Sequence, residues 1–284
     1  MRTPKTVAIT GAARGIGRAT AVEFLKSGAD IAIGDLDLEL AEKTATELTS
    51  AYPGRRVIAR RLNVVDAQSM ADFLDAAVSE FGSLDVVINN AGIMPTNIFA
   101  EESDEVTNQT VDVNLRGVLN GTKAALSRLS PNGVIVNISS QVTNLPAPAL
   151  TTYTATKCAV LGLNDALSRE LDATGSTIKL MAVQPGIVRT ELSAGSAHLP
   201  FLEPLVVTDP ERVAAGIVEG VRRGRRRVAV PKPLGIIAAG LHALPYPVGR
   251  FIERTLGLDK TFTNADPEAR KRYHDRIEQA HQDS

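Results

Sequence analysis

Short apolar, β-branched runs alternate along the chain with longer stretches in which apolar positions recur every three to four residues. The runs TVAIT (6–10), DIAIG (30–34), RVIARRL (56–62), LDVVIN (84–89), GVIVNIS (133–139), IKLMAV (178–183) and RVAV (227–230) predict strands. Helices are expected near 15–27, 37–50, 67–81, 103–129, 153–173 and 210–223. Strands that are apolar on both faces and separated by helices predict a parallel sheet covered on both sides. Right-handed crossovers turn that sheet into a doubly wound α/β fold. After residue 184 Pro and Gly become denser, which predicts a long loop with a helix in it. Residues 1–230 are therefore expected to form one domain. Residues 231–284, with a charged helix beginning near Pro267, read as a helical extension too thin in apolar residues to stand alone.

Composition narrows the picture a little. With 284 residues, 44% of them hydrophobic, the chain can bury a substantial core. A net charge of -1 gives no reason to expect nucleic acid as a partner. The single cysteine, Cys158, excludes an internal disulfide and a cysteine-based zinc site, and fits a reducing, cytoplasmic setting. His198, His242, His274 and His281 are scattered without metal-ligand spacing, so no metal is expected. The N-terminal apolar run is too short for a secretory signal, and LGIIAAGLHAL (234–244) is too short to span a bilayer.

The first candidate chemistry follows the first strand. In TGAARGIGRAT (10–20), Gly11, Gly15 and Gly17 sit where the chain turns and opens a helix. Absent Cβ atoms let a pyrophosphate approach the backbone and the helix N-terminus, where free N–H groups favour negative charge. The second strand ends at Asp35, 18 residues after Gly17, where a carboxylate can accept both ribose hydroxyls of an adenosine and repel a 2′-phosphate. That favours NAD. Arg14 pulls the other way, since a guanidinium there can hold a 2′-phosphate, so NADP stays open. Asp35 could instead cap the next helix, a role for which Asp37 competes.

The second candidate is TTYTATKCAV (151–160), with Tyr153 and Lys157 one helical turn apart on one face. A phenol exchanges protons poorly near neutral pH unless its anion is stabilised, and a fixed cation nearby would do that.

Together the motifs resemble the short-chain dehydrogenase/reductase family: TGAARGIG, NNAG (89–92), Asn114 in DVNLRG, NISS (137–140), YTATK (153–157) and PGIVRT (185–190), in order over residues 5–192. The resemblance implies a seven-stranded Rossmann-type sheet with one active site at its C-terminal edge. It implies that Tyr153 is the general acid/base, and that Lys157 lowers the Tyr153 pKa and holds the nicotinamide ribose. Ser140 would hydrogen-bond the substrate oxygen, and Asn114 would position a water behind Lys157. Ser139 competes with Ser140, but alternation along a strand and the thirteen-residue spacing to Tyr153 select Ser140. Asn114 could equally bond backbone. Cofactor contacts are expected from Gly11, Arg14, Gly15, Ile16 and Gly17, from Asn63 and Val64 beside the adenine, and from Asn90 and Gly92 in the cleft. Val188 and Thr190 would meet the carboxamide.

The reading is an NAD(P)-dependent oxidoreductase acting on a lipophilic secondary alcohol or ketone, because 93–99, 141–150 and 191–207 are mostly apolar. The alternatives are a non-catalytic dinucleotide sensor and an epimerase. The resemblance also implies a homodimer or homotetramer. Arg222, Arg223, Arg225, Arg226 and Arg227 form a basic cluster, read either as a solvated helix C-terminus or, with the apolar segment 234–256, as a peripheral membrane contact through 222–256.

Overall fold

The computed structural model describes residues 4–196, 203–242, 244–257, 261–263 and 265–282. Along the chain run β1 (Thr6–Thr10), α1 (Gly15–Lys26), β2 (Asp30–Asp35), α2 (Leu38–Ala51), β3 (Val57–Arg61), α3 (Ala67–Phe81) and β4 (Val86–Asn89). They are followed by α4 (Asp104–Val111), α5 (Gly117–Leu126), β5 (Val134–Ile138), α6 (Thr151–Ala173) and β6 (Lys179–Pro185). Next come β7 (Ile187–Val188), α7 (Glu203–Val206), β8 (Val207–Thr208), α8 (Pro210–Arg223) and β9 (Arg227–Val230). The last helices are α9 (Lys232–His242), α10 (Tyr246–Thr255) and α11 (Pro267–Gln282).

Seven strands pair in the order β3-β2-β1-β4-β5-β6-β9, all parallel, and β7 pairs with β8 in a small separate ladder. The chain moves outward from β1 to β3 and returns to β4 on the other side of β1. This reversal opens a crevice at the carboxyl ends of β1 and β4, where such sheets bind ligands. Alternation along each strand supplies both faces. Val7, Ile9, Ile31 and Ile33 pack with Phe24 and Leu25 of α1, while Ala8 and Ala32 pack on the other face with Phe73 and Leu74 of α3. Both faces are covered, so the strands are apolar throughout.

Local signals set the helix ends. Asp66 caps α3 by accepting from the Gln68 N–H at 2.8 Å, and Gly82 ends it at φ 78. Asp37 caps α2 by accepting from the Leu40 N–H at 3.0 Å, which frees Asp35 from that duty.

The helix expected over 103–129 is interrupted. Residues Asp112–Arg116 form a π turn between α4 and α5. The wider turn turns Asn114 toward the loop after β4, where its amide bonds both backbone groups of Ile93. Nothing in the local sequence marks such a bulge, because the partner lies 21 residues away.

The extension expected over 231–284 folds back over the domain. Thr261, Phe262, Tyr273 and Ile277 are buried against it. Among the described residues no helix is long and apolar enough to cross a membrane, yet Ile236, Tyr246 and Phe251 stand mostly exposed on α9 and α10. In the basic cluster, Arg222 and Arg223 pair with Glu219, Arg226 with Asp172 and Arg227 with Asp165.

Candidate active site

The Gly-rich turn joins β1 to α1. Gly11 and Gly15 adopt φ 64 and φ 56, which only glycine reaches without strain. A Cβ on Gly11 would lie 2.9 Å from the Ala91 Cα, so the turn is pressed against the loop after β4. Asn90 locks that contact by donating from Nδ2 to the carbonyls of Thr10 (2.9 Å) and Gly11 (2.8 Å). Gly17 has a different reason: a Cβ there would meet the Ala12 Cα and the Asn90 Nδ2, each at 2.7 Å. It makes room for the turn and does not reach the crevice.

The N-terminus of α1 has no capping side chain and no acidic residue in its first turn. Its open N–H groups and the space left by glycine form a cradle suited to a diphosphate. At the end of β2, the Asp35 carboxylate accepts from the Ala13 N–H at 3.0 Å and the Asp37 N–H at 3.2 Å. Burial pushes it above the usual carboxylate range despite both donors. Each oxygen retains capacity for a ribose hydroxyl. Arg14 turns to Asp37 (2.6 Å) and Glu191 (3.5 Å). The residues present thus fit an adenine dinucleotide.

One cavity of about 1020 Å³ runs from Asp35 past Gly11 and Gly15 to Tyr153 and Lys157. That is the upper end of the range for small-molecule sites, room for a dinucleotide and a second molecule. Its wall includes Ile16, Asn63, Val64, Asn90, Gly92, Val188 and Thr190, together with Arg14 and Ser140. Gly17 and Asn114 stand behind the wall.

Tyr153 and Lys157 lie on the buried face of α6 with Thr156 and Val160. The Lys157 Nζ lies 5.5 Å from the centre of the Tyr153 ring and donates to the Ile138 carbonyl at 3.0 Å. The Ser140 hydroxyl lowers the Tyr153 pKa, which puts it beside the phenol. Ser139 faces the other way, donating to the Lys157 carbonyl at 2.9 Å. Its hydroxyl is thereby spent on holding β5 against α6.

Burial pushes the Tyr153 phenol up to about 12, against a lowering contribution from Ser140. Burial also pulls the Lys157 ammonium down to about 8. Buried as they are, both groups resist their charged forms. Asn114 is fully buried, and its amide is spent on Ile93. A Cβ on Gly92 would lie 3.0 Å from the Asn114 Oδ1 and 3.5 Å from the Lys157 Nζ, so the loop after β4 passes close to both side chains.

The substrate end of the cavity is lined by Ile93 and Met94, by Val142, Leu145, Pro146 and Ala147, and by Leu192 and Val206. Of the expected segment 93–99, only its start reaches the cavity; Ile98 and Phe99 are exposed. Residues 197–202 of the expected loop lie outside the described residues. Sequence reading missed the remaining wall, which is the extension: Leu234, Leu256, Phe262, Tyr273, Arg276 and Ile277. Its lack of a motif hid it. Arg270 donates to the carbonyls of Met94 (2.6 Å) and Leu192 (2.8 Å), and the Tyr273 hydroxyl accepts from the Met94 N–H at 2.9 Å.

A family model described as short chain dehydrogenase matches residues 5–198. The chain belongs to the short chain dehydrogenase family. SadH of Mycobacterium tuberculosis, named as an oxidoreductase, is 34% identical over 272 residues, covering 91% of this chain and 96% of SadH. EphD of the same organism, also named as an oxidoreductase, is 32% identical over 273 residues, covering 88% of this chain. The chain spans only 43% of the length of EphD. A short chain dehydrogenase/reductase from Burkholderia phymatum in complex with NAD superposes with a TM-score of 0.76 at 23% identity, covering 85% of this chain and 94% of that one. A Burkholderia cenocepacia member in complex with NADP gives 0.71 at 27% identity, covering 78% and 94%. The family fold, a seven-stranded parallel sheet between helices, is the fold described above.

Proposed function

We propose that this member of the family is an NAD-dependent oxidoreductase that interconverts a lipophilic secondary alcohol and its ketone. The observation that carries the reading is the single cavity joining the Asp35 carboxylate and Gly-rich turn to Ser140, Tyr153 and Lys157.

A bound nicotinamide would give or take the hydride. The chain's own residues handle the oxygen next to the reacting carbon. Ser140 and Tyr153 both donate to it, and their grip tightens as negative charge develops there, because the donors are already in position and water is excluded. Tyr153 keeps its proton well above neutral pH, and an alkoxide is more basic than a phenoxide, so reduction uses Tyr153 as the acid. In oxidation Tyr153 must first lose that proton, so the rate rises with pH. Lys157 holds the ribose side of the site, and Asn114 fixes the loop after β4 that passes beside it. Asp35, with Arg14 drawn off to Asp37, supports NAD over NADP. The aliphatic substrate wall, with Tyr273 and Phe262 closing it, supports an apolar substrate. The reading includes a self-associating chain, as the motifs imply.

The test is a panel of secondary alcohols and ketones followed at 340 nm with NAD(H) and NADP(H), using wild type, Tyr153→Phe and Asp35→Ser. Loss of the phenol should reduce turnover at least ~10²-fold with substrate binding retained. Asp35→Ser should shift preference toward NADP. Full activity of Tyr153→Phe on a substrate that the wild type turns over would remove the proposed role.

A further inference from the structure

At the phosphate end of the cavity, one carboxylate oxygen serves two cations. The Glu191 Oε2 pairs with Arg14 at 3.5 Å and also with Arg276, which comes from α11 in the extension. Glu191 follows Thr190, whose Cγ2 would lie 3.6 Å from a Cβ on Gly15, so this cluster borders the Gly-rich turn. Both arginines and Glu191 line the cavity. Arg276 also senses the charges of Arg14, Asp35 and Asp37, which puts its guanidinium over the same crevice. Two guanidinium groups converging on one partly exposed carboxylate leave donors for a better anion, and a diphosphate offers more oxygens in a geometry that guanidinium matches.

We propose that Arg276 is a diphosphate-binding residue of the dinucleotide site, and that Glu191 holds it in the position a diphosphate takes over. This rests on the dinucleotide reading above and deepens it: the C-terminal helix is a strap that docks on the cofactor as well as on the protein. The docking surface is already built. Arg270 and Tyr273 tie α11 to Met94, and the Gln109 Nε2 donates to the Ile277 carbonyl at 3.2 Å. Exchange of Glu191 for phosphate therefore moves one side chain, not the helix.

The two residues should act with opposite sign. Calorimetric titration with ADP-ribose and fluorescence titration with NADH would be run on wild type, Arg276→Gln and Glu191→Gln, with limited proteolysis of α11 alongside. Arg276→Gln should weaken both ligands about tenfold, as loss of one charge-assisted pair does. Glu191→Gln should tighten them several-fold, since a competing anion is gone. Dinucleotide should protect α11 from cleavage in wild type and much less in Arg276→Gln. Equal affinity in wild type and Arg276→Gln would overturn the inference. So would weakening by Glu191→Gln, which would make the ion pair a structural tie only. Should wild type bind neither ligand, the dinucleotide reading itself falls, and this inference falls with it.

Discussion

At the scale of single residues, burial sets the chemistry of the site. Lys157 titrates at about 8 in the folded protein, below its ordinary 10.5. Between these values the unfolded chain binds more protons, so this group makes stability rise with pH there, and its penalty is complete below 8. Tyr153, raised from 10.0 to about 12, acts in the opposite sense: stability falls as pH rises from 10 to 12. Lys157→Met should therefore stabilise the ligand-free protein at pH 7 by up to about 3 kcal/mol. The advantage should shrink as pH approaches 10.5. Urea midpoints of both proteins from pH 7 to 10 measure it, and a gap that does not change with pH would show that Lys157 is charged at no such cost. The Tyr153–Lys157 pair and the choice of Ser140 over Ser139 were legible from spacing and strand alternation. The raised phenol pKa was not, because burial is contributed by side chains from distant parts of the chain.

At the scale of elements, the Gly-rich turn shows one motif doing two jobs. Gly11 and Gly15 supply left-handed backbone, whereas Gly17 supplies space between α1, the turn and Asn90. Gly17→Ala should cost about 1–3 kcal/mol, since the atoms it meets include backbone that cannot step aside. It should also weaken dinucleotide binding by shifting the turn. Chemical denaturation together with NADH titration reads both, and an unperturbed protein would mean that the turn has slack the distances deny. The seven strands of the main sheet, α1, α3, α6 and α8 were readable from periodicity, caps and glycines; the short β7–β8 ladder was not. The break in 103–129 was not: α4 and α5 have ordinary helix composition, and the π turn exists because Asn114 satisfies Ile93 across the loop after β4.

At the scale of the whole molecule, the extension decides the shape of the site. Part of its apolar surface is spent on the cavity mouth, where Phe262 packs with Met94, Leu150 and Tyr153. Ile236, Tyr246 and Phe251 stand exposed, and in the basic cluster Arg222 and Arg223 pair with Glu219, Arg226 with Asp172 and Arg227 with Asp165. Arginines so neutralised draw little from an anionic surface. Flotation of the full chain with vesicles containing phosphatidylserine should therefore show no binding that salt removes. Salt-sensitive flotation abolished by Arg226→Gln and Arg227→Gln would reverse that. The sequence by itself determined the parallel sheet, its order of motifs and the family, because each is written in local periodicity or fixed spacing. Only the tertiary structure decided that a motif-free C-terminal helix lines the cavity, that Arg276 meets Glu191, and that the phenol is buried. Those facts arise from groups far apart in the chain brought to one place, and no local pattern records such a meeting.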